Sequence, residues 1–135
     1  MSGTFQGVGT LQFTPDNKHV FASSGLMEID NTETTMLEFQ TNSEYLKCKV
    51  QFNYPESDGD DFLYQSYFDN VVVQGYQIDH SKLYGYQNSI VLLIIPPFTT
   101  VKLTAINKGS STSRTQICSL TGEVGMPQRV GNLDD

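Results

Sequence analysis

The chain lacks tryptophan and has few cysteines, histidines and basic residues: two, two and eight among 135. With 15 acidic residues, its formal net charge at pH 7 is −7. Nucleic-acid backbones and anionic membranes both attract clusters of lysine and arginine. Only Lys47 and Lys49 lie near each other in the sequence. We therefore expect neither nucleic acid nor a membrane as a partner.

Long apolar runs are also missing. The longest aliphatic run, Ile90–Ile95, has six residues, whereas a transmembrane helix needs about 20. The N-terminal stretch MSGTFQGVGTLQF has neither the basic start nor the apolar core of a signal peptide. These absences predict a protein without a membrane span that folds in a cytoplasm.

The common catalytic motifs are absent: the sequence contains no G-x-S-x-G, no P-loop and no H-E-x-x-H. Asp79 and His80 are adjacent, but catalytic pairing depends on tertiary geometry, and a loop histidine is the favoured interpretation. Cys48 and Cys118 lack a C-x-x-C partner and are predicted to be buried thiols rather than zinc ligands or a disulfide. We expect no enzymatic activity and no cofactor. A cupin-type metal enzyme is disfavoured because such sites need several histidines.

The chain does contain a series of short segments with the two-residue period of β-strands. The clearest is EYLKCKVQFNY, residues 44–54, in which apolar and polar residues alternate throughout. Turn-forming stretches such as PESDGDD and the pair Asp69-Asn70 separate these segments, and none has a helical period. In TTMLEFQT we expect Leu37 and Phe39 on one face and Met36 on the other, and in TTVKLTAIN we expect Val101, Leu103 and Ala105 to face inward. RTQICSLTGEV is expected to be the last strand. About eight strands predict an all-β, antiparallel, jelly-roll-like sandwich. We assign residues 24–125 to this sandwich, 1–23 to an extended N-terminal arm and 126–135 to a C-terminal tail.

The stretch SIVLLIIPPFTTVKLTAIN, residues 89–107, predicts two strands joined at a proline stop. Ile90–Ile95 is apolar and rich in β-branched residues, which predicts a strand buried on both faces. Pro96 and Pro97 lack the N–H that a continuing strand needs. The opposite sheet covers one face of the first strand. Either a loop of the same domain or a neighbouring subunit covers the second.

Two loops are candidates for ligand binding. The acidic loop around Gly59 offers weak calcium ligands, but its spacing does not match a calcium-binding motif, so a solvated loop is favoured and no metal is predicted. The candidate ligands are Asp58, Asp60 and Asp61. The second loop combines aromatic and amide side chains suited to sugar or protein contact. Its residues are Tyr84, Tyr86, Gln87 and Asn88.

Three segments together resemble small jelly-roll proteins encoded by tailed phages and marine viruses. They are NTETTMLEFQTNSEYLKCKVQFNY, YQSYFDNVVV and LLIIPPFTTVKLTAINKGSSTSRTQICSLTGEV, which span roughly residues 25 to 125. The resemblance implies a virion component such as a capsid decoration (cement) protein or head fibre. It implies the capsid surface as location, the major capsid protein as partner and, by analogy, a homotrimer.

The leading hypothesis is therefore a structural protein that binds the assembled capsid and stabilises it. About 20 extended residues of the arm could reach about 65 Å over a neighbour. The predicted capsid or subunit contacts are Phe5, Leu11, Phe13, Ile90, Leu92 and Ile94. The alternative is a carbohydrate-binding, lectin-like adhesion module that uses the tyrosine loop; the lack of tryptophan, the usual sugar-stacking residue, counts against it.

Overall fold

The computed structural model describes residues 4–5, 12–13, 18–52, 60–79 and 90–125. Within these ranges the chain forms strands and no helix, which confirms the predicted all-β class. The strands are β1 (Thr4–Phe5), β2 (Gln12–Phe13), β3 (His19–Ser23), β4 (Met27–Ile29), β5 (Thr34–Gln40), β6 (Leu46–Phe52), β7 (Asp61–Phe68), β8 (Val71–Asp79), β9 (Ile90–Ile95), β10 (Thr100–Asn107), β11 (Arg114–Gln116) and β12 (Cys118–Val124).

Two antiparallel sheets form the sandwich. Sheet A has the order β1-β5-β10-β7-β8, and sheet B has the order β2-β3-β12-β6-β9. A small third sheet pairs β4 with β11. Without the short strands β1, β2, β4 and β11, the remaining eight take the orders 2-7-4-5 and 1-8-3-6 when numbered along the chain. This is the strand order of a jelly roll, so the predicted sandwich is confirmed.

The core lies between the two sheets and is built from alternate residues of their strands. β6 follows the predicted alternation strictly, with every second side chain buried. Aromatic rings join the sheets: Phe52 of sheet B stacks on Tyr64 of sheet A, with ring centroids 3.9 Å apart. The hydroxyl of Tyr64 donates a hydrogen bond of 2.9 Å to Oε1 of buried Gln116. The interior is thus mainly apolar, with a buried polar contact where Tyr64 meets Gln116 of β11.

In three places the strands differ from the simple sequence pattern. Met36 was expected on the face opposite Leu37, but a register shift between β5 and β10 buries both residues. RTQICSLTGEV was expected to be one strand, but it divides at Ile117 because β11 pairs with β4 while β12 pairs with β3 and β6. His19–Ser23, which the sequence placed in the arm, is strand β3 of the sandwich and contributes buried Val20 and Ala22.

The crossover from sheet B to sheet A follows β9, as the two prolines predict. Thr41, just beyond β5, fixes this crossover: its hydroxyl donates to the carbonyl of Pro96 at 2.7 Å and accepts from the Thr99 amide at 2.9 Å. Phe98 occupies the left-handed region with φ of 54°. The C-terminal end of β9 is therefore held by the segment that follows β5. No helix in the described ranges has the length and hydropathy to cross a membrane.

Candidate docking face on strand β9

Among the described strands, β9 forms one edge of sheet B, and its two faces have opposite environments. Val91, Leu93 and Ile95 point into the core and are at most 7% exposed. Leu92 and Ile94 point outward and are 71% and 63% exposed. A large aliphatic side chain left this open on a regular strand is the kind of surface that partner proteins cover.

The prediction that Ile90–Ile95 is buried on both faces is wrong for the single chain. The opposite sheet covers the inner face of β9. Among the described residues, nothing comparable covers Leu92 and Ile94 on the outer face. Six consecutive apolar residues give the same sequence pattern whether the second face is covered or exposed. Of the two covering layers considered for that face, a loop of the same domain is not found in the described ranges.

Lysines stand beside both exposed aliphatic residues. In the antiparallel pairing of β6 with β9, Lys49 lies opposite Leu92 and Lys47 lies opposite Ile94. Directly opposite residues have Cβ atoms about 4.5–5.5 Å apart, and both lysines are exposed. The Leu92 row continues across the sheet through Thr121 to Phe21, which is 53% exposed. We call the set formed by Phe21, Lys47, Lys49, Leu92 and Ile94 the β9 face.

A shallow groove of about 360 Å³ lies within this face. Its lining includes Leu92, both lysines, Thr121 and Gly122, with His19 and the carboxylate Glu123 at one end. Gly122 allows β12 to approach β6 closely. A Cβ added there would lie 2.5 Å from the carbonyl oxygen of Lys47 and 2.7 Å from Cβ of Cys48. Because the first of these neighbours is backbone, no side-chain rotation could relieve the contact. The glycine thus maintains the form of the groove floor.

Asp60 and Asp61, two of the candidate calcium ligands, are hydrogen-bonded to other side chains of the sandwich. Asp60 is fully buried, and Nε of Arg114 contacts its two carboxylate oxygens at 3.1 and 3.0 Å. The side-chain amide of Asn107 donates to the same carboxylate at 3.1 Å. Asp61 accepts hydrogen bonds of 2.8 and 3.0 Å from Nε2 of Gln77. Asp58 lies outside the described residues, and within them no group of three or more histidine, cysteine or acidic residues could hold a metal ion.

Of the other residues predicted to contact the capsid, a subunit or a ligand, only some lie within the described ranges. Phe5 lies in β1 opposite Phe39, and Phe13 lies in β2 opposite Val20, so both short strands extend the two sheets at the edges away from β8 and β9. Ile90 begins β9 and is half-buried. The remaining predicted residues lie outside the described ranges: Leu11, Tyr84, Tyr86, Gln87 and Asn88.

The cysteines offer no reactive nucleophile. Both are free and buried. Burial raises the pKa of the Cys48 thiol to about 12 and also raises the pKa of Cys118. A thiol that stays protonated at neutral pH neither attacks nor binds metal readily.

A polar cluster lies on the outer face of sheet A. Oε2 of Glu33 accepts hydrogen bonds from the hydroxyls of Tyr67, at 2.6 Å, and Thr104, at 2.7 Å. These two bonds lower the pKa of Glu33 below its ordinary value of 4.5, and the positive charge of Lys102 acts in the same direction. The ammonium of Lys102 also sits 5.4 Å from the ring centroid of Tyr67. The cluster connects the segment before β5 to β10 and β7.

The full extent of the β9 face could not be predicted from the sequence. The alternation in EYLKCKVQFNY placed Lys47 and Lys49 on one face of β6, and the run Ile90–Ile95 marked β9. Nothing local indicates that these two strands are neighbours, because β6 ends at Phe52 and β9 begins only at Ile90. Only the register of sheet B brings the lysines beside Leu92 and Ile94. Phe21 was placed in the arm and was not considered part of this surface.

Together the fold and this face define an all-β, jelly-roll-like sandwich with an exposed apolar and basic edge. No protein-family model and no curated protein matches the sequence. Among solved structures, the chain is similar to one described as "Bacillus endospore appendages form a novel family of disulfide-linked pili". The identity is 11% over 93% of this chain and 98% of that chain, with a TM-score of 0.50. At this identity the likeness supports the fold alone.

Proposed function

We propose that this chain is a non-enzymatic structural protein of a virion, which binds the assembled capsid and stabilises it as a decoration protein. The observation that carries the proposal is the exposure of Leu92 and Ile94 on a regularly paired edge strand. Fully burying one such side chain is worth about 1.5–3 kcal/mol. A partner that covers both therefore gains affinity without ordering a loop.

Two further features agree with this role. The resemblance of the sequence to small virion jelly-roll proteins extends over most of the sandwich. The structural neighbour is described as belonging to endospore appendages that form disulfide-linked pili, so a similar fold occurs in a protein that assembles. We propose that the partner is the major capsid protein and that the chain binds it as a homo-oligomer, a trimer by analogy.

Co-sedimentation with capsids tests the proposal. The capsids are assembled from the major capsid protein encoded in the same genome. Wild-type protein should sediment with them, and Leu92→Asp should not, because it places a charge in the contact. Leu26→Asp is the matched control, since Leu26 is 77% exposed and lies outside the β9 face. Size-exclusion chromatography with light scattering gives the oligomeric state of each variant.

Two results would contradict the proposal. The first is wild-type protein that stays in the supernatant with capsids but binds sugars on a glycan array, which would favour the adhesion module. The second is equal sedimentation of wild-type and Leu92→Asp protein, which would remove the β9 face from the contact.

A further inference from the structure

Two lysines lie close to the exposed aliphatic residues on the outer face of sheet B. Among the described residues of strands β3, β12, β6 and β9, Lys47 and Lys49 share this face with one carboxylate, Glu123. Glu123 lies opposite Lys47, whereas Lys49 lies between Leu92 and Thr121. The protein as a whole carries a net charge of −7. With two lysines and one carboxylate, the surface around Leu92 has a small positive excess on an acidic molecule, which favours an acidic partner over a second basic surface.

The edge of β9 lacks the features that usually prevent strands from pairing. Its pairing with β6 is regular from Gln51↔Ile90 to Leu46↔Ile95, and Ile90–Ile95 contains no charged residue or proline. Edge strands are commonly protected by charges, prolines or bulges. The edge of sheet A is different, because β8 contains a register shift opposite Ser66 and Tyr67. Of these two edges, residues 91–95 of β9 are the better template for an added strand.

The register places charge and apolar surface together for such a strand. Neighbouring strands lie about 4.8 Å apart, so a segment added beside β9 brings alternate side chains against Leu92 and Ile94. The lysines stand one strand further in, and their long, flexible stems can extend across the aliphatic residues. Carboxylates on the added strand would then meet the ammonium groups at the surface of the sheet.

We propose that the β9 face binds an extended, acidic segment of a partner protein, which adds as a strand to the edge of β9. This inference rests on the proposed docking role and names the chemistry of the docking partner. Backbone hydrogen bonds to the edge supply affinity that is independent of sequence, and the two lysines select for carboxylates.

The test uses peptides, so that it does not depend on capsids. The probe is an acetylated, amidated peptide of about eight residues that alternates leucine with glutamate, and the control peptide replaces glutamate with lysine. Each is titrated into isotope-labelled full-length protein while backbone amide NMR signals are recorded. The acidic peptide should shift signals of β9 and β6, and its affinity should fall on the order of tenfold between about 50 and about 500 mM salt.

A double variant, Lys47→Glu with Lys49→Glu, should lose the acidic peptide. Lys108→Glu, which makes the same charge change at an exposed turn after β10, should keep it. The inference is overturned if the acidic peptide shifts no signal of β9 or β6, if the basic peptide binds equally well, or if the double variant binds as wild type does. It is also overturned if the protein alone forms dimers through these lysines, because the occupant is then a second copy.

The two proposals fail separately. If the peptide binds at β9 but capsids do not sediment the protein, the capsid function is wrong and the acidic-strand site stands. If capsids bind wild-type and double-variant protein equally, the docking function stands and the acidic-strand inference is wrong.

Discussion

Leu92 and Leu93 provide an internal comparison, because these neighbours in β9 point to opposite faces of sheet B. Leu93 is 7% exposed and Leu92 is 71% exposed. Truncating a buried leucine to alanine removes core contacts and leaves a cavity, at a cost of about 2–5 kcal/mol. A substitution on an open surface usually changes stability by less than about 0.5 kcal/mol. Leu93→Ala should therefore destabilise the protein strongly, and Leu92→Ala should hardly change it.

Thermal unfolding followed by circular dichroism measures the difference. In a domain of this length, 1 kcal/mol corresponds to a shift in Tm of about 4 °C. Leu93→Ala should lower the Tm by roughly 8–20 °C, and Leu92→Ala by less than about 2 °C. Equal, large losses in both variants would refute the reasoning, since Leu92 would then be covered within its own chain and the β9 face would not be open to a partner.

Three further results follow from the structure. Gly122→Ala should lower the free energy of unfolding by about 1–3 kcal/mol, measured by chemical denaturation, because the added Cβ meets backbone of β6; unchanged stability would show that the strands lie further apart. Glu33 has a lowered pKa, so its hydrogen bonds, including that from Tyr67, stabilise the fold above the ordinary value of 4.5 and lose their effect as pH falls through the folded-state pKa. The Tm of Glu33→Gln should therefore be below wild type at neutral pH and approach it in acid; a constant difference at all pH values would contradict this. Cys48 and Cys118 should react with a thiol reagent only after denaturation, because burial raises both pKa values; rapid reaction of the native protein would show that a thiol is accessible.

The sandwich could be predicted from the sequence because its strands carry their pattern locally. The alternation of β6, the inward positions Val101, Leu103 and Ala105 of β10, and the turn at Asp69 and Asn70 all appear in the structure. That turn has φ of 51° and 67°, as expected where two such residues connect a tight hairpin. Local signals of this kind need no knowledge of distant neighbours.

Features that depend on register could not be predicted. The burial of Met36 follows from a shift between β5 and β10, and the lysines beside Leu92 follow from the pairing of β6 with β9. The acidic loop was expected to be solvated, but Asp60 binds Arg114, which lies 54 positions further along the chain. Sequence spacing gives no indication of such a partner. The same holds for the exposed side of β9, which depends on where the strand lies in its sheet.

The most direct measurement of the central claim is hydrogen exchange of the backbone amides of residues 91–95, compared between free protein and protein bound to capsids. Docking at the edge of β9 should slow exchange of the amides that point away from β6, while the central strand β10 should exchange alike in both states. If capsid binding slowed exchange in β8 and left the exchange of the β9 amides unchanged, the result would contradict docking at β9.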